Sequence, residues 1–141
     1  MFYLIVLFWF IFRYNNTRDG FMKAKKLINS FKYAFMGIFS SMKTERNLKI
    51  HISIMILVIL FGLIFQISAF EWILCIVCFG IVISGELFNT AIETVVDMVR
   101  PEYNEKAKLA KDISAGGVLV LAIASAIIGF IIFLPKFFLL F

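Results

Sequence analysis

The chain has 141 residues, of which 62% are hydrophobic, and its formal net charge is +5. Its mean hydropathy of +0.99 excludes an ordinary soluble domain and indicates a small integral membrane protein. At this length a separate soluble catalytic domain is also excluded, so any chemistry must take place within the bilayer or at its edge. No soluble surface of mixed aromatic and basic residues accompanies the charge, so we expect no nucleic acid partner.

Most basic residues lie on one side of the predicted membrane spans. Nine of the fourteen precede the first strong span, four lie between the second and third spans, and one follows the third. The positive-inside rule then places the amino terminus and the 100–111 loop in the cytoplasm. In chain order, the basic residues are Arg13, Arg18, Lys23, Lys25, Lys26, Lys32, Lys43, Arg46, Lys49, Arg100, Lys106, Lys108, Lys111 and Lys136.

The first 26 residues are predicted to be an extension outside the core of the protein. Residues 1–12 are apolar, but twelve helical residues reach only about 18 Å, which is too short to span a bilayer. Arg13 interrupts this segment, and a polar linker follows it. Three interpretations remain open: an interfacial anchor, a signal-like segment, or a translation start at Met22. We assign no function to these residues.

An amphipathic helix is predicted from Leu27 to about Met42. Its apolar residues recur at helical spacing, whereas lysines and serines fill the other positions. The pattern fits a helix that lies on the cytoplasmic leaflet, and a helix packed on the membrane domain is the alternative.

Three apolar segments follow, at about residues 50–68, 72–99 and 113–134, within a membrane domain of residues 27–141. Each is long enough, at about 1.5 Å per residue, to cross a hydrocarbon layer of about 30 Å. The short turn between the first two requires them to run antiparallel, and the third is expected to end at Pro135. The sequence therefore predicts an all-α membrane protein with three transmembrane helices preceded by an amphipathic cytoplasmic surface helix.

Polar side chains interrupt the second span between Gly85 and Asp97. At roughly 100° per residue, five of them fall on one helix face, whereas apolar residues cover most of the rest. Carboxylates at membrane depth are unfavourable, so such a face usually points into protein or a polar cavity and marks function. A polar seam that only holds helices together is the alternative, although amides or hydroxyls would serve it better than acids. The five residues are Glu86, Asn89, Thr90, Glu93 and Asp97.

The predicted depths of the acids suit different roles. Glu86 lies about two turns deeper than Glu93, and a carboxylate in apolar surroundings is suited to accept a proton from an alcohol. Glu93 and Asp97 lie near the cytoplasmic interface, where they can stay ionised and hold a hard cation such as Mg²⁺. Glu45 precedes the first span at the same predicted depth as Glu93, so these two carboxylates could share one metal ion.

Further charged residues are predicted at the same interface. Lys111 and Asp112 lie at the base of the third span, and basic groups beside metal-binding carboxylates suit a polyphosphate. The sequence has no phosphate-binding loop motif and no protein-kinase motifs, and its single histidine argues against a histidine-rich zinc site. The residues alone thus predict a membrane-embedded phosphoryl or cation site, with a solvated anchoring loop as the alternative.

From about Phe31 to Lys136 the sequence resembles the prokaryotic diacylglycerol kinase family of small three-span lipid kinases. The resemblance rests on three segments: GELFNTAIETVVD at residues 85–97, AKLAKDISAGGV at residues 107–118, and TERNLKIH at residues 44–51. The TERN-x-x-IH segment, the Glu71-Trp72 pair and the IIFLPK end are more similar to the Gram-positive undecaprenol kinase branch.

The resemblance implies an ATP- and Mg²⁺-dependent transfer of the γ-phosphoryl group to a lipid hydroxyl. Glu86 would accept the proton of the lipid alcohol, while Glu45 and Glu93 would hold the metal ion. Asn89 would orient the reacting groups, Asp97 would support them, and Ala115 occupies the position that contacts the lipid. The residues implied to contact ATP are Tyr33, Glu45, Glu93, Glu102, Tyr103, Asn104, Lys111 and Asp112.

The resemblance also implies a homotrimer with sites shared between chains, in the cell membrane of a bacterium. Undecaprenol is the expected lipid and diacylglycerol the second choice, because both offer a primary hydroxyl on an apolar body. Two other classes of function remain open. An ion-conducting subunit would line a path with its acids, but Glu71 is the only acid on the predicted outer side. A non-enzymatic membrane adaptor would not require Glu86.

Overall fold

The computed structural model describes residues 18–138 of the chain, with side chains described from residue 25 onward. The apolar segment at residues 1–12 lies outside this range, so the interpretations given for it remain predictions. The chain divides into two compact units, Met1–Ser40 and Ser41–Phe141. The described helices are α1 (Arg18–Thr44), α2 (Arg46–Ile64), α3 (Ala69–Val99) and α4 (Glu105–Phe138).

Helix α1 is longer than the predicted amphipathic segment of residues 27–42 and extends past it at both ends. Within the first unit, Phe31, Phe35 and Phe39 recur every four residues and are exposed to solvent. This spacing puts the three aromatic rings on one face, as expected for an amphipathic helix. Its placement on a membrane surface remains a prediction.

The second unit contains three helices, α2, α3 and α4, each long and apolar enough to cross a membrane. This confirms the predicted all-α architecture with three candidate spans. Helix α3 packs against both α2 and α4, so it lies at the centre of the unit. Little of each apolar span is buried within the chain, and the exposed faces suit contact with lipid or with other copies.

Helix α2 runs from Arg46 to Ile64, four residues earlier at each end than the predicted 50–68. Its amino terminus is set by Glu45, which has extended backbone angles and occupies the N-cap position. Its carboxyl terminus is set by a tight turn in which Gln66 has a positive φ of 49°. Arg46, Asn47 and Lys49, which precede the predicted span, therefore lie in the first turn of the helix.

Helix α3 begins at Ala69 with a capping box. The hydroxyl of Ser68 accepts a hydrogen bond from the Glu71 backbone N–H, and the Glu71 carboxylate accepts one from the Ser68 N–H. Such reciprocal bonds satisfy backbone donors that a helix start leaves unpaired. The helix continues without interruption to Val99, as predicted. The polar residues that share one face from Glu86 to Asp97, which we call the polar stripe, therefore lie on regular helix.

Helix α4 begins at Glu105, eight residues before the predicted span, because the Asn104 side chain caps it. The Asn104 Oδ1 atom accepts hydrogen bonds from the backbone N–H groups of Lys106 and Ala107. The predicted end at Pro135 is wrong, since the helix continues to Phe138. A proline in the final turn removes a single backbone donor, and the side chain of Lys136 is held at Glu71 by an ion pair of 2.8 Å.

The apolar core lies at the Glu71 end of the second unit. Ile67, Cys75 and Ile132 are buried there, and Trp72 and Phe133 pack against them. The aromatic ring of Phe133 also contacts Phe61 and Phe65 of α2 and the turn that follows it. These contacts join all three helices at this end.

Toward the other end, α3 and α4 approach each other closely at Gly85. A Cβ atom added at Gly85 would lie only 2.8 Å from Cδ1 of Leu121 on α4. Because glycine has no side chain, the two helices can come together here. The residue that follows is Glu86, so this approach brings α4 next to the predicted catalytic carboxylate.

Candidate functional site

The polar stripe of α3 turns inward at its deeper part. Glu86 is 3% exposed and Asn89 is 7% exposed, and among the described residues these are the buried polar or charged side chains. Glu93 is partly buried and Asp97 is exposed. The stripe thus runs from the protein interior at Glu86 toward solvent at Asp97, as the predicted difference in depth requires.

Glu86 contacts the single histidine of the chain. The Nε2 atom of His51 on α2 lies 3.2 Å from Oε1 of Glu86 on α3, and this contact joins the two helices. The sequence analysis did not assign His51 to the site. A signal was present in the sequence, because His51 closes the TERNLKIH segment at residues 44–51 and is a polar residue at the start of an apolar span. It lies three residues after Leu48, which is fully buried, on the same face of α2.

Asn89 lies between Glu86 and the shallower acids on the same face of α3. Its Nδ2 atom donates a hydrogen bond of 3.0 Å to Oε1 of Glu93, one turn further along the same face. Its Oδ1 atom is buried and has no hydrogen-bond partner within the described part of the chain. A buried acceptor without a donor is unfavourable, so this oxygen is available for a hydroxyl group or a metal ion.

A small cavity of about 190 Å³ lies in front of these side chains, and we refer to it as the Glu86 pocket. It contains polar groups from two helices and is closed by apolar residues of α4. The predicted lipid-contact residue, Ala115, is in its wall, together with Val118 and Ala122. The full lining is Asn47, Ile50, His51, Glu86, Asn89, Ala115, Val118, Leu119 and Ala122.

A larger cavity of about 560 Å³ shares two wall residues, His51 and Ala122, with the Glu86 pocket. We refer to it as the apolar cavity, because hydrocarbon and aromatic side chains form most of its wall. Along α4 it extends from Ala122 to Phe133, a distance of about 16 Å at the helical rise. A carboxylate at one end and an apolar wall beyond it suit a ligand with a polar head and a hydrocarbon body.

The predicted metal-binding carboxylates are near Glu86 but do not form a complete site. Glu45 and Glu93 both interact electrostatically with Glu86. The carboxylate of Glu45 accepts a hydrogen bond of 2.9 Å from the Thr44 hydroxyl. Within residues 25–138, no three acidic, histidine or cysteine side chains converge as a full set of metal ligands.

At the exposed end of the stripe, Asp97 pairs with Lys111 of α4. The Lys111 Nζ atom lies 3.0 Å and 3.1 Å from the two carboxylate oxygens of Asp97. Asp112 instead pairs with Lys108, one turn earlier on its own helix. The structure therefore brings Lys111 to the acidic face of α3 and holds Asp112 on the surface of α4.

The remaining predicted ATP contacts lie elsewhere. Tyr103 is 82% exposed, and with Asn104 it borders a surface depression whose α3 wall is Val95, Val96 and Val99. At about 100° per residue, Val95 and Val99 are rotated by about 200° and 240° from Glu93, so most of this wall is turned away from the acidic face. Glu102 is also exposed. A single chain does not gather these side chains with Glu86.

Tyr33, the predicted nucleotide contact in the surface helix, belongs to the first compact unit. It lies on α1 with 66% of its surface exposed. Its role therefore stays a prediction.

Comparisons with known proteins indicate the chemistry of this site. Residues 32–133 match the sequence model of a family described as prokaryotic diacylglycerol kinase. An undecaprenol kinase from Bacillus subtilis (strain 168) is 38% identical over 121 residues, which cover 86% of this chain and 98% of that relative. Two diacylglycerol kinases are also similar. One, from Synechocystis sp. (strain ATCC 27184 / PCC 6803 / Kazusa), is 37% identical over 84% of this chain and 68% of its own length.

The other diacylglycerol kinase, from Haemophilus influenzae (strain ATCC 51907 / DSM 11121 / KW20 / Rd), is 33% identical over 108 residues, which cover 76% of this chain and 92% of the relative. All residues that line the Glu86 pocket fall within the matched range of the family model. The part of the chain that forms the site is therefore the part that the comparisons recognise.

Proposed function

This chain belongs to the prokaryotic diacylglycerol kinase family and is a membrane-bound lipid kinase, and from that premise we propose its reaction and substrate. The enzyme transfers the γ-phosphoryl group of ATP to the hydroxyl of undecaprenol and forms undecaprenyl phosphate. The observation that carries the proposal is the position of Glu86, a buried carboxylate in a polar pocket that adjoins an apolar cavity. A lipid alcohol has the same division into a reactive head and a hydrocarbon body.

Glu86 acts as the proton acceptor. The lipid hydroxyl enters the Glu86 pocket and gives its proton to the carboxylate as the oxygen attacks phosphorus. Asn89 lies beside Glu86 in the wall of the same pocket, where it helps to orient the reacting groups. Because Glu86 is enclosed by protein, water competes poorly with the lipid at this position.

The side chains near the pocket fit a magnesium ion held together with nucleotide phosphates. Mg²⁺ is bound by oxygen ligands, usually one or two carboxylates plus phosphate oxygens and water. Glu45 and Glu93 supply two carboxylates, and the orphaned Asn89 Oδ1 is a neutral oxygen beside them. When bound, the ion neutralises charge on the transferring phosphoryl group.

The nucleotide is held by residues from more than one chain. Lys111 lies next to the acidic face of α3, where its charge suits a phosphate, and Asp97 holds the ammonium group in place. Tyr103 and Asn104 lie in the segment between α3 and α4 and border a separate surface depression that Lys111 does not line, so one chain does not direct all of them to one nucleotide. We therefore infer a homotrimer in which Glu102, Tyr103, Asn104, Asp112 and Tyr33 complete the site of a neighbouring chain.

The orientation follows from the basic residues. The amino terminus and the segment between α3 and α4 face the cytoplasm, which supplies ATP, and Lys136 faces the other side. With Glu86 below the interface and Glu93 at it, the lipid and the nucleotide meet without either crossing the membrane.

Undecaprenol is preferred to diacylglycerol for two reasons. The relative named undecaprenol kinase is matched over 98% of its length, whereas the diacylglycerol kinase of similar identity is matched over 68%. In addition, a diacylglycerol places two ester groups close to its hydroxyl, and buried esters need hydrogen-bond donors. The wall of the apolar cavity has few side chains that can donate, namely His51, Ser125 and two cysteines.

A kinase assay with a panel of lipids tests this proposal. The purified protein in nanodiscs receives radiolabelled ATP, Mg²⁺ and equal mole fractions of undecaprenol or diacylglycerol, and Glu86→Gln serves as the inactive control. We expect kcat/KM to be higher for undecaprenol. A preference for diacylglycerol would overturn the choice of lipid, and inactivity on both would overturn the kinase reaction itself. Omitting Mg²⁺, or replacing it with Ca²⁺, tests the metal requirement in the same assay.

A further inference from the structure

We propose that His51 is a positioning residue for Glu86, and that its Nε2–H group fixes the carboxylate for proton transfer from the lipid alcohol. This inference rests on the proposed function, because it concerns the same phosphoryl transfer. The observation behind it is the distance of 3.2 Å between Nε2 of His51 and Oε1 of Glu86.

The pair is placed by the packing of α2 on α3. Leu48 is fully buried on α2, and His51, Met55 and Val58 follow it on the same helix face. This face points toward α3, and Met55 and Val58 line the apolar cavity. The His51 side chain is 20% exposed and that of Glu86 is 4% exposed, so water has little access to the contact. The imidazole ring is therefore directed at Glu86 by its helix.

The hydrogen-bonding chemistry of the two groups determines which atom of the pair carries the hydrogen. An ionised carboxylate can only accept hydrogen bonds, so Nε2 of His51 must carry the hydrogen when Glu86 is ready to act as a base. The bond engages Oε1, and among the described residues Oε2 of Glu86 has no other donor. Rotation about the last bond of a free glutamate is soft, and one fixed oxygen removes that freedom. The second oxygen is then presented to the lipid hydroxyl.

His51 is also the residue at which the two cavities meet. It lines the Glu86 pocket and the apolar cavity alike, as does Ala122 on α4. A lipid whose body occupies the apolar cavity passes the His51 ring before its hydroxyl reaches Glu86. The same side chain that orients the base therefore borders the path of the substrate.

A purely structural pair makes a different prediction. If His51 only tied α2 to α3, its removal would lower stability without a specific effect on turnover. Glutamine and asparagine separate the two possibilities. The amide nitrogen of glutamine lies nearly where Nε2 of histidine lies, whereas that of asparagine ends near the position of Nδ1. Both amides are polar and similar in size, so only the placement of the donor differs.

The experiment compares His51→Gln, His51→Asn and His51→Leu with the parent enzyme in nanodiscs, using whichever lipid alcohol the parent phosphorylates. The readouts are kcat, the KM for Mg-ATP and the melting temperature. We expect His51→Gln to keep kcat within about 3-fold, and His51→Asn and His51→Leu to lower it by roughly 10- to 100-fold at an unchanged KM for Mg-ATP. Ser53→Ala, on the same helix, should leave kcat unchanged, since among the described residues the Ser53 hydroxyl donates to the Lys49 carbonyl on its own helix.

Each outcome decides the proposal. Equal turnover in the Gln and Asn variants overturns it, and so does a loss that appears only as a higher KM for Mg-ATP. If His51→Leu does not fold, the Gln and Asn pair still supplies the comparison. Inactivity of the parent enzyme on every lipid alcohol would instead be a failure of the proposed function. If the parent enzyme is active and the His51 variants are equally active, only the proposed role of His51 is refuted.

Discussion

Two of the acid–base pairs on helix α3, Glu71 with Lys136 and Glu86 with His51, lie about 22 Å apart along its axis. At the Glu71 end both carboxylate oxygens are used: Oε1 accepts from Lys136 and Oε2 accepts from the Ser68 backbone N–H. At the Glu86 end only Oε1 is used, and a cavity lies in front of the carboxylate.

The comparison separates a structural acid from a reactive one. The Glu71 carboxylate is about one-fifth exposed, closes the start of α3 and anchors the end of α4, so its bonding capacity is filled. Glu86 is more deeply buried yet keeps an acceptor that the protein does not satisfy. Burial by itself does not mark a catalytic group. An acid that keeps one oxygen without a donor beside a cavity is a better candidate.

The strongest test of this distinction is to replace the glutamate by glutamine at each end of α3. Glu86→Gln should lower kcat by about 10²- to 10⁴-fold, because an amide cannot accept the proton of the alcohol, while the affinity for Mg-ATP stays near the parent value. Steady-state kinetics and nucleotide binding by calorimetry measure the two quantities. Glu71→Gln is the control on the same helix. Substantial turnover in Glu86→Gln would remove the assigned role of this residue.

A second substitution tests the division of labour within the stripe. Glu93→Gln should weaken Mg-ATP binding by roughly 10- to 100-fold, because it removes a negatively charged metal ligand but keeps an oxygen that can accept from Asn89. A titration with Mg-ATP at constant free Mg²⁺ gives the affinity. If Glu86→Gln and Glu93→Gln bind the nucleotide equally well, the two acids do not have separate roles.

The Glu71 end should respond in stability and not in kinetics. Glu71→Gln removes the charge that Lys136 binds and weakens the capping box, so the melting temperature should fall by a few degrees at unchanged kcat and KM. Thermal unfolding in the same nanodiscs, monitored by circular dichroism, measures the shift. A large loss of turnover in a variant that still folds would show that the Glu71 end takes part in catalysis.

Two glycines, one at each end, test the packing of the helices instead of the acids. A Cβ atom at Gly62 would lie 2.7 Å from the rigid Trp72 ring, whereas one at Gly85 would meet the flexible end of Leu121. We expect Gly62→Ala to lower stability by about 1–3 kcal/mol through overpacking, partly offset by about 1 kcal/mol of better helix propensity. Gly85→Ala should change stability less, because Leu121 can rotate away. Equal melting temperatures for the two variants would contradict this difference.

Much of the fold follows from local pattern. Apolar segments of sufficient length predict the three spans, and regular spacing predicts that Glu86, Asn89 and Glu93 share a face of α3. The ends of the helices were predicted less well. Asn104 starts α4 eight residues early as a side-chain cap, and the helix continues through Pro135 to Phe138 with Lys136 paired to Glu71 of α3. Both depend on contacts that a hydropathy pattern does not contain.

The sequence by itself determined that acids lie inside a membrane span and at which turn of the helix each one lies. Both follow from neighbouring residues: the helical period sets the turn, and the number of consecutive apolar residues sets the length of the span. Only the tertiary structure decided which of them is enclosed and what it touches. His51 and Glu86 are 35 positions apart, and their contact depends on the rotation of α2 and α3 about their axes and on the packing of their faces. Those are properties of pairs of helices, and no single segment of the chain encodes them.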